Sequence, residues 1–293
     1  ELALRTSSDG GRTWSADRVI VPNEGGRNVM SVSLLRGASG EILLFYLRKD
    51  AQGEACSMYV RRSADGLQTL SSPVRVTTLE GYHVVNNARV VRLSSGRIVV
   101  PAALHTGYED GATTPGRYSR AAVPLVYFSD DDGLTWHRDR TPLAPRPESG
   151  PHFQEPGIVE LRDGRLWMYM RTNKGAQYGC WSSDGGMTWT EPEPTALASP
   201  LSPATIQRVP WSGHLLAVWN DHSGCHPYVK GKRTPLAVSI SRDDGRTWER
   251  SRLIENDPDG WYCYTSILFQ EGRAILSYCA GDSRVGGLNR LKD

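Results

Sequence analysis

The chain has 293 residues, and its 34 lysines and arginines nearly balance its 32 aspartates and glutamates, for a formal net charge of +2. Because this charge is small and spread along the chain, it gives no basis for nucleic acid or an anionic membrane surface as the main partner. Apolar runs also stay well below the roughly 20 residues that a membrane-spanning helix needs.

An octapeptide with Asp, Gly, Thr and Trp at fixed places recurs along the chain. The first copy is SSDGGRTW at 7–14, and the fifth is SRDDGRTW at 241–248. The copies between them are SADGLQTL at 63–70, SDDDGLTW at 129–136 and SSDGGMTW at 182–189. The last residues of successive copies lie 56, 66, 53 and 59 positions apart. This period is longer than that of most helical solenoids and is typical of a four-stranded propeller blade with long loops.

Between the boxes, short runs rich in Val, Ile, Leu and aromatic residues predict strands. The runs that follow a glycine turn are, in chain order, EILLFYLR, RIVVPAAL, RLWMYMRT, HLLAVWN and AILSYCA. The runs ahead of the same turns are MSVSLL, ARVVRL, GIVEL, ATIQRV and TSILF. No convincing amphipathic helix is longer than two turns. The sequence therefore predicts an all-β fold in which strand, turn, strand, strand and box repeat.

Polar residues interrupt this pattern. YHVVNNARV at 82–90 and VWNDHSG at 218–224 are polar where a buried strand is normally apolar, so Arg89 and Asp221 are candidates for contact with a ligand. Such residues are also common at solvated strand ends, and that interpretation stays open. The Gly-rich, charged stretch 107–122 predicts a long loop, of a kind that is often functional or mobile in compact domains.

The residue types of the octapeptide predict a structural role. Asp and Ser side chains hydrogen-bond nearby backbone N–H groups and fix tight turns. Glycine supplies a positive φ, and Trp can bury a large ring between strands. The alternative is a catalytic or calcium-binding role. A site needs different groups that converge, however, whereas these boxes repeat one group at distant places.

Cysteine and histidine are scattered along the chain. The five cysteines show no CxxC or Cys/His metal spacing, and buried free thiols are expected, with one disulfide as the alternative. The loop-like stretches that contain histidine likewise share no spacing. The sequence therefore predicts no metal site.

On an all-β chain, this repeated box resembles the Asp-box (BNR) repeat of the sialidase superfamily, whose members are six-bladed β-propellers. The resemblance extends over nearly the whole chain. It implies one propeller domain, residues 1–293, built from four-stranded antiparallel blades. The first blade is expected to be incomplete, because the chain begins six residues before its first box.

Two stretches sharpen the resemblance. QEPGIVELRDGRLWMYMRT is similar to the sialidase segment with a Glu at the start of one strand and an Arg at the end of the next, here Glu155 and Arg171. In an antiparallel pair these two positions lie at the same edge, so both side chains can face one site. WYCYTSILF resembles the segment that delivers a Tyr, which is Tyr264 here, with Tyr262 as a near neighbour.

The resemblance implies a retaining exo-α-sialidase that releases terminal sialic acid from glycoconjugates. Tyr264 would be the nucleophile, because a neutral phenol avoids repulsion from the carboxylate of the substrate. Glu155 would take the phenol proton, and Arg171 would bind the substrate carboxylate. The partner is then a glycan. A secreted or periplasmic location is expected because substrates of this family lie mostly outside the cytoplasm, and the mechanism requires no cofactor.

Two departures from the family pattern leave alternatives open. The first arginine and the acid/base Asp of the family correspond to positions ahead of residue 1. The place of the third arginine is taken by Ser239, and Arg233 is the candidate to reach a similar region from a loop. Another terminal acidic sugar is therefore an alternative substrate, and a non-catalytic carbohydrate-binding propeller is an alternative function. The sequence does not indicate an oligomeric state.

Overall fold

The computed structural model describes residues 1–51, 55–109, 112–139 and 150–291. These residues form strands joined by turns, together with one short 3₁₀ helix, Ser283–Val285, so the predicted all-β class is confirmed. Within the same ranges, no helix is long and apolar enough to cross a membrane. Contacts divide the chain into two compact units, Glu1–Pro145 and Arg146–Asp293.

The first unit contains three antiparallel sheets. A two-stranded sheet pairs β1 (Leu2–Leu4) with β2 (Arg18–Val21). In the second sheet four strands follow in chain order: β3 (Asn28–Arg36), β4 (Ile42–Lys49), β5 (Cys56–Ser63) and β6 (Val74–Arg75). The third has the order β11–β10–β9–β7, with β8 also paired to β9: β7 (His83–Val84), β8 (Val91–Arg92), β9 (Ile98–Glu109), β10 (Ala112–Ser129) and β11 (His137–Arg138).

The second unit also contains three antiparallel sheets, each in chain order. The first comprises β12 (Gln154–Glu160), β13 (Leu166–Arg171), β14 (Ala176–Ser182) and β15 (Glu193–Ala198). The second comprises β16 (Thr205–Arg208), β17 (Leu215–Asn220), β18 (Leu236–Ser241) and β19 (Arg252–Glu255). The third comprises β20 (Gly260–Gln270), β21 (Arg273–Asp282) and β22 (Gly287–Leu291).

These up-and-down sheets have the blade form of a propeller. Among the described residues, four sheets have four or more strands, and the sheets nearest the two ends of the chain have two and three. The part of the chain that the structure describes therefore contains four complete blades, whereas six blades are predicted. Within it the first sheet is incomplete, as the sequence predicts, and the last sheet has three strands.

Two local predictions are wrong. A continuous strand is predicted at 88–93, but only Val91–Arg92 form β8, because Ala88 adopts a φ of 53° that an extended strand does not allow. The stretch 107–122 is predicted as a loop, but β9 and β10 pair through most of it. Residues 110–111, between the two strands, lie outside the described ranges. The pairing gives the backbone polar groups of this stretch partners that an irregular loop would lack.

The repeated box folds in the same way in both units. In the box at 182–189, Ser182 Oγ donates to Asp184 Oδ1 at 2.7 Å, and Asp184 accepts from the backbone N–H of Thr188 at 3.0 Å and from its hydroxyl at 2.6 Å. The corresponding bonds recur in the other four boxes. Both oxygens of the aspartate at the third place of each box close the turn, which supports the predicted structural role.

The tryptophan of the box does not have one fixed role. Trp136 is buried and packs edge-on against Phe45 at 5.8 Å between ring centroids. Trp14 is 56% exposed. The expectation that the ring fills a space between strands therefore holds for Trp136 but not for Trp14, and the hydrogen-bonded turn is what the copies share.

Packing in the second unit brings its sheets together along their first strands. β12 packs beside β16, and β16 packs beside β20. The hydroxyl of Tyr169 on β13 accepts from the backbone N–H of Ile206 on β16 at 3.0 Å. Gly157 on β12 leaves room for this ring, since a Cβ there would lie 2.3 Å from Tyr169 Cζ. Thr205 Oγ1 donates to the carbonyl of Thr265 on β20 at 2.7 Å. The sheet of β12 and β13 and the sheet of β20 are therefore both hydrogen-bonded to β16.

The cysteines are all free thiols, as the sequence predicts. The predicted burial holds for Cys56, Cys180 and Cys263, whereas Cys279 is half-buried and Cys225 is exposed, so for Cys225 the prediction is wrong. Thiol pairing therefore contributes nothing to the stability of either unit, and the sheets and boxes hold the fold.

Candidate active site

Glu155 lies at an irregularity in the first strand of its sheet. The register of β12 against β13 shifts between Gln154 and Gly157, and Glu155 adopts a φ of 48°. A glutamate in this left-handed region is strained, and such residues concentrate at functional sites. Its side chain is only 8% exposed. The bulge therefore directs a carboxylate into a largely water-excluded place instead of along the face of the strand.

Arg171 meets this carboxylate from the end of the next strand. It pairs with Gln154 in the register of β12 and β13, which confirms that the strand start and the strand end lie at one edge. Arg171 Nη1 donates to Glu155 Oε2 at 2.6 Å, in a salt bridge whose arginine side chain is 15% exposed. Arg171 Nε is buried and has no hydrogen-bond partner among the residues that the structure describes. The guanidinium thus has donor capacity beyond the salt bridge.

Tyr264 occupies the same kind of irregularity in β20. The register against β21 shifts between Cys263 and Ser266, and Tyr264 has a φ of 59°. Burial raises the pKa of the phenol to about 12, and the negative charge of Glu155 raises it as well, whereas Arg233 lowers it. The phenol is therefore neutral near pH 7, and a carboxylate is close enough for its charge to be felt.

Arg233 reaches this group from the loop between β17 and β18. Its residue is 8% exposed, and its Cζ lies 5.1 Å from the ring centroid of Trp261 and 5.6 Å from that of Tyr264. Burial by itself would lower the pKa of Arg233, but Cys263, Tyr264 and Glu155 raise it overall. The guanidinium remains charged, and its buried Nε has no hydrogen-bond partner within the described ranges.

Four residues from separate segments of the second unit therefore converge: Glu155, Arg171, Arg233 and Tyr264. The two guanidiniums retain unused, buried donors that match a planar anion such as a carboxylate. The phenol lies near a carboxylate that can accept its proton. Chemically, the cluster can bind an anion and activate a nucleophile in one place.

The structure gives the two other predicted residues, Asp221 and Arg89, local contacts of their own. Asp221 is 1% exposed, and its carboxylate accepts from the backbone N–H of Ser223 at 2.8 Å and from the hydroxyl of Ser251. Arg89 lies in the first unit, 2% exposed, and its backbone N–H donates to Ser33 Oγ at 3.0 Å. In this structure the contacts of Asp221 fix a loop.

Ser239, at the place of the third family arginine, makes a hydrogen bond within its own sheet region. It lies on β18, is 4% exposed, and donates from Oγ to the carbonyl of Glu249 at 2.6 Å. The guanidinium that sequence comparison expects there is absent, and Arg233 lies beside Tyr264 instead. The sequence GKRT by itself does not show that Arg233 lies beside Tyr264. The position of Arg233 depends on how a long loop returns to the sheet.

Sequence reasoning missed two neighbours of the cluster. Trp261 provides an aromatic surface for Arg233, and Cys263 is a buried thiol whose pKa is raised to about 11 by burial. The cluster of aromatic residues in WYCY, at the start of a strand, is the signal that could have pointed to Trp261. No group of three or more His, Cys, Asp or Glu side chains in the described ranges is arranged to hold a metal ion.

Comparison with known proteins adds a family match. A family model described as "BNR repeat-like domain" matches residues 1–276. An anhydrosialidase from Macrobdella decora is 26% identical over 205 residues, which is 65% of this chain and 26% of that protein. The match thus spans about a quarter of the length of the curated relative.

Solved structures give a likeness in fold. The intramolecular trans-sialidase from Ruminococcus gnavus, in complex with oseltamivir carboxylate, has a TM-score of 0.71 at 17% identity, with 99% of this chain and 85% of that chain covered. A Trypanosoma rangeli sialidase in complex with the inhibitor DANA has a TM-score of 0.67 at 18% identity, and the match covers 95% of this chain and 47% of that chain. A protein of unknown function from Dyadobacter fermentans has a TM-score of 0.72 at 19% identity, and the match covers 96% of this chain and 79% of that chain. At these identities the likeness establishes the β-propeller fold alone.

Proposed function

This chain belongs to the BNR repeat-like family of sialidase-superfamily propellers, and from that premise we propose that it is a retaining exo-α-sialidase that releases terminal sialic acid from glycans. The observation that carries the proposal is the convergence of Tyr264 and Glu155 with two arginines in one buried cluster. Anion binding and nucleophile activation are the two capacities that such a reaction needs. They occur together here, on segments far apart in sequence.

Substrate binding would begin at the arginines. A sialic acid carboxylate is planar, and each guanidinium offers it charged, directional donors. Arg171 and Arg233 are both largely buried, so their bonds to the carboxylate would be stronger than in water. Buried Nε donors without partners, on both residues, support this assignment.

Binding of the carboxylate would also change the state of Glu155. Arg171 pairs with Glu155 at 2.6 Å in the ligand-free protein. A substrate carboxylate that shares Arg171 weakens this pair, so Glu155 becomes a better proton acceptor once the site is filled. The base would thus be strengthened by the substrate on which it acts.

Tyr264 would then attack the anomeric carbon. The C–O bond to the leaving group breaks, the bond from the phenol oxygen to the anomeric carbon forms, and the phenol proton passes to Glu155. The leaving oxygen takes a proton from a general acid. In the second step water attacks the anomeric carbon and gives a proton to the conjugate base of that acid, the bond from this carbon to the Tyr264 oxygen breaks, and Glu155 returns the proton to Tyr264. Two displacements at one carbon retain its configuration.

The test is a fluorogenic α-sialoside assay on the full-length protein with Tyr264→Phe. We expect loss of at least a thousandfold in kcat, because phenylalanine has no oxygen to attack the anomeric carbon. Tyr262→Phe is the matched control, since it removes the neighbouring hydroxyl in the same strand, and it should keep most of the activity. A Tyr264→Phe protein that turns over normally would overturn the assignment.

Ser239 favours a second candidate within the same chemistry. With no arginine at that place, the cluster offers two guanidiniums to the substrate, and a different terminal acidic sugar is a fitting alternative. A panel of α-sialoside and uronide substrates separates the two. Tight binding of acidic sugars with no turnover of any glycoside would instead favour a carbohydrate-binding propeller. Export to the outside or to the periplasm is part of the first proposal, because its glycan substrates lie there.

A further inference from the structure

The arginine beside Tyr264 is supported by a loop whose two ends are tied together. Residues 221–235 join β17 to β18, and Arg233 lies near the end of this loop. The carbonyl of Arg233 accepts from the backbone N–H of Tyr262 at 2.9 Å, and Thr234 Oγ1 donates to the carbonyl of Asp257 at 2.8 Å. These bonds hold the backbone of Arg233 against the segment that leads into Tyr264.

His222 closes the loop from its other end. Its Nε2 lies 3.1 Å from the carbonyl of Thr234, and because a carbonyl only accepts, Nε2 must carry the proton. Its backbone N–H donates to the carbonyl of Ala198 at 3.1 Å, at the end of β15. The imidazole thus links the start of the loop, the neighbouring sheet and the residue that follows Arg233.

The surroundings of His222 suit this task. Its ring stacks on that of Tyr228, with 4.3 Å between centroids and 24° between planes. Burial lowers the pKa of His222, against the opposing effects of the Thr234 and Lys232 carbonyls and of Asp221, so the ring is neutral near pH 7. A neutral, stacked imidazole has one N–H, and Thr234 fixes which nitrogen carries it.

We propose that His222 is a positioning residue for Arg233: through its bond to the Thr234 carbonyl it holds the Arg233 guanidinium where a substrate carboxylate binds. This inference rests on the proposed function, in which Arg233 binds that carboxylate. A long arginine side chain loses considerable rotamer entropy on binding, and a loop that is already fixed has less left to lose. The effect of His222 is therefore on the affinity for the anionic group rather than on the chemical step.

Two substitutions separate the hydrogen bond from the stacking. His222→Gln keeps an N–H donor near the place of Nε2 and loses the aromatic ring, whereas His222→Phe keeps a ring against Tyr228 and loses the donor. We expect His222→Phe to raise KM for an α-sialoside about tenfold with kcat within about twofold of wild type, and His222→Gln to stay close to wild type in both. His222→Leu replaces the phenylalanine variant if that protein does not fold. Equal effects of the donor-keeping and donor-lacking variants would overturn the proposal.

A double-mutant cycle tests whether the effect passes through Arg233. In an Arg233→Ala background, His222→Phe should change KM no further, because the group that it positions is gone. If the two effects on KM are instead independent, His222 acts on stability or on another part of the site, and the proposal fails.

Hydrogen exchange gives a readout that needs no activity. The Tyr262 amide donates to the Arg233 carbonyl, so its exchange reports how firmly this loop end is held. We expect faster exchange at this amide in full-length His222→Phe and unchanged exchange in His222→Gln, by mass spectrometry of the peptide that contains it. Unchanged exchange in both variants would overturn the proposal. If wild-type protein cleaves no sialoside, the proposed function fails, and the exchange result still decides whether His222 holds Arg233.

Discussion

Removal of the Arg171 side chain should destabilise the protein because it leaves Glu155 buried without its partner. At 2.6 Å and an effective dielectric constant of about 20, the attraction between the two charges is about 6 kcal/mol before desolvation is subtracted. Loss of one member of a buried pair costs about 3–5 kcal/mol. Glu155 keeps a second cation nearby in Arg233, so we expect Arg171→Ala to cost about 3 kcal/mol, at the lower end of that range.

Thermal unfolding measures this cost. For a chain of this size, about 3 kcal/mol corresponds to a fall in Tm of roughly 6–12 °C. Glu155→Gln in the Arg171→Ala background should recover about half of the loss, because it removes the uncompensated charge and leaves the shape nearly unchanged. The matched control is Arg165→Ala, which removes the partner of Asp163 from a salt bridge with 43% and 52% exposed side chains. An exposed pair of this kind is worth at most about 1 kcal/mol.

Two outcomes would refute this reasoning. If Arg171→Ala is as stable as Arg165→Ala, the Glu155 carboxylate is solvated or paired in a way that the ligand-free structure does not contain. If Glu155→Gln restores nothing in the Arg171→Ala background, the loss comes from packing of the arginine chain and not from charge.

Two further predictions concern the frame of the protein. Burial raises the pKa of the Asp139 carboxyl from 3.8 to about 7, so the folded state holds its proton more tightly than the unfolded state. The free energy of unfolding should then fall as pH rises from about 4 to 7, by up to about 4 kcal/mol, and Asp139→Asn should remove this part of the slope in urea titrations at pH 5 and pH 8. Parallel slopes for the two proteins would contradict the expectation. Ser182→Ala should cost about 1–3 kcal/mol, because the backbone N–H of Gly186, 2.9 Å from Ser182 Oγ, is buried and loses its acceptor. Activity per folded molecule should be unchanged, and a selective loss of kcat would show that this box does more than hold a turn.

Much of the frame could be predicted because its signals are local. A glycine turn between two apolar runs defines a hairpin whichever sheet it joins, and each box closes its turn with its own side chains. The same locality explains why Glu155 and Arg171 could be placed at one edge of their sheet. Once two antiparallel strands and their turn are known, the start of one and the end of the other must lie at one edge.

The remaining features depend on contacts distant in sequence. The left-handed backbone at Ala88 interrupts the strand predicted at 88–93. Alanine has no preference for this conformation, so the interruption cannot be predicted from the residue type. Arg233 lies where a loop returns to its sheet: its own carbonyl accepts from Tyr262, and the next residue, Thr234, bonds to His222 and Asp257. None of these bonds can be read from the sequence pattern. The sequence marks Asp221 as a candidate for ligand contact, and its hydrogen bonds from Ser223 and Ser251 could not be read from the pattern. Ser251 lies thirty residues further along the chain, so this contact depends on the fold.

The left-handed backbone conformation of Glu155 and Tyr264 occurs elsewhere in the chain with other side chains. Ser31 and Ala88 have φ values of 60° and 53°, close to the 48° of Glu155 and the 59° of Tyr264. All four lie eight or nine residues before the glycine of the following turn. Three of them lie within a strand and Ala88 lies just ahead of β8, so one backbone conformation recurs with four different side chains. For protein engineering, Ser31 and Ala88 are places at which a new reactive side chain could be installed on a backbone that already has this conformation.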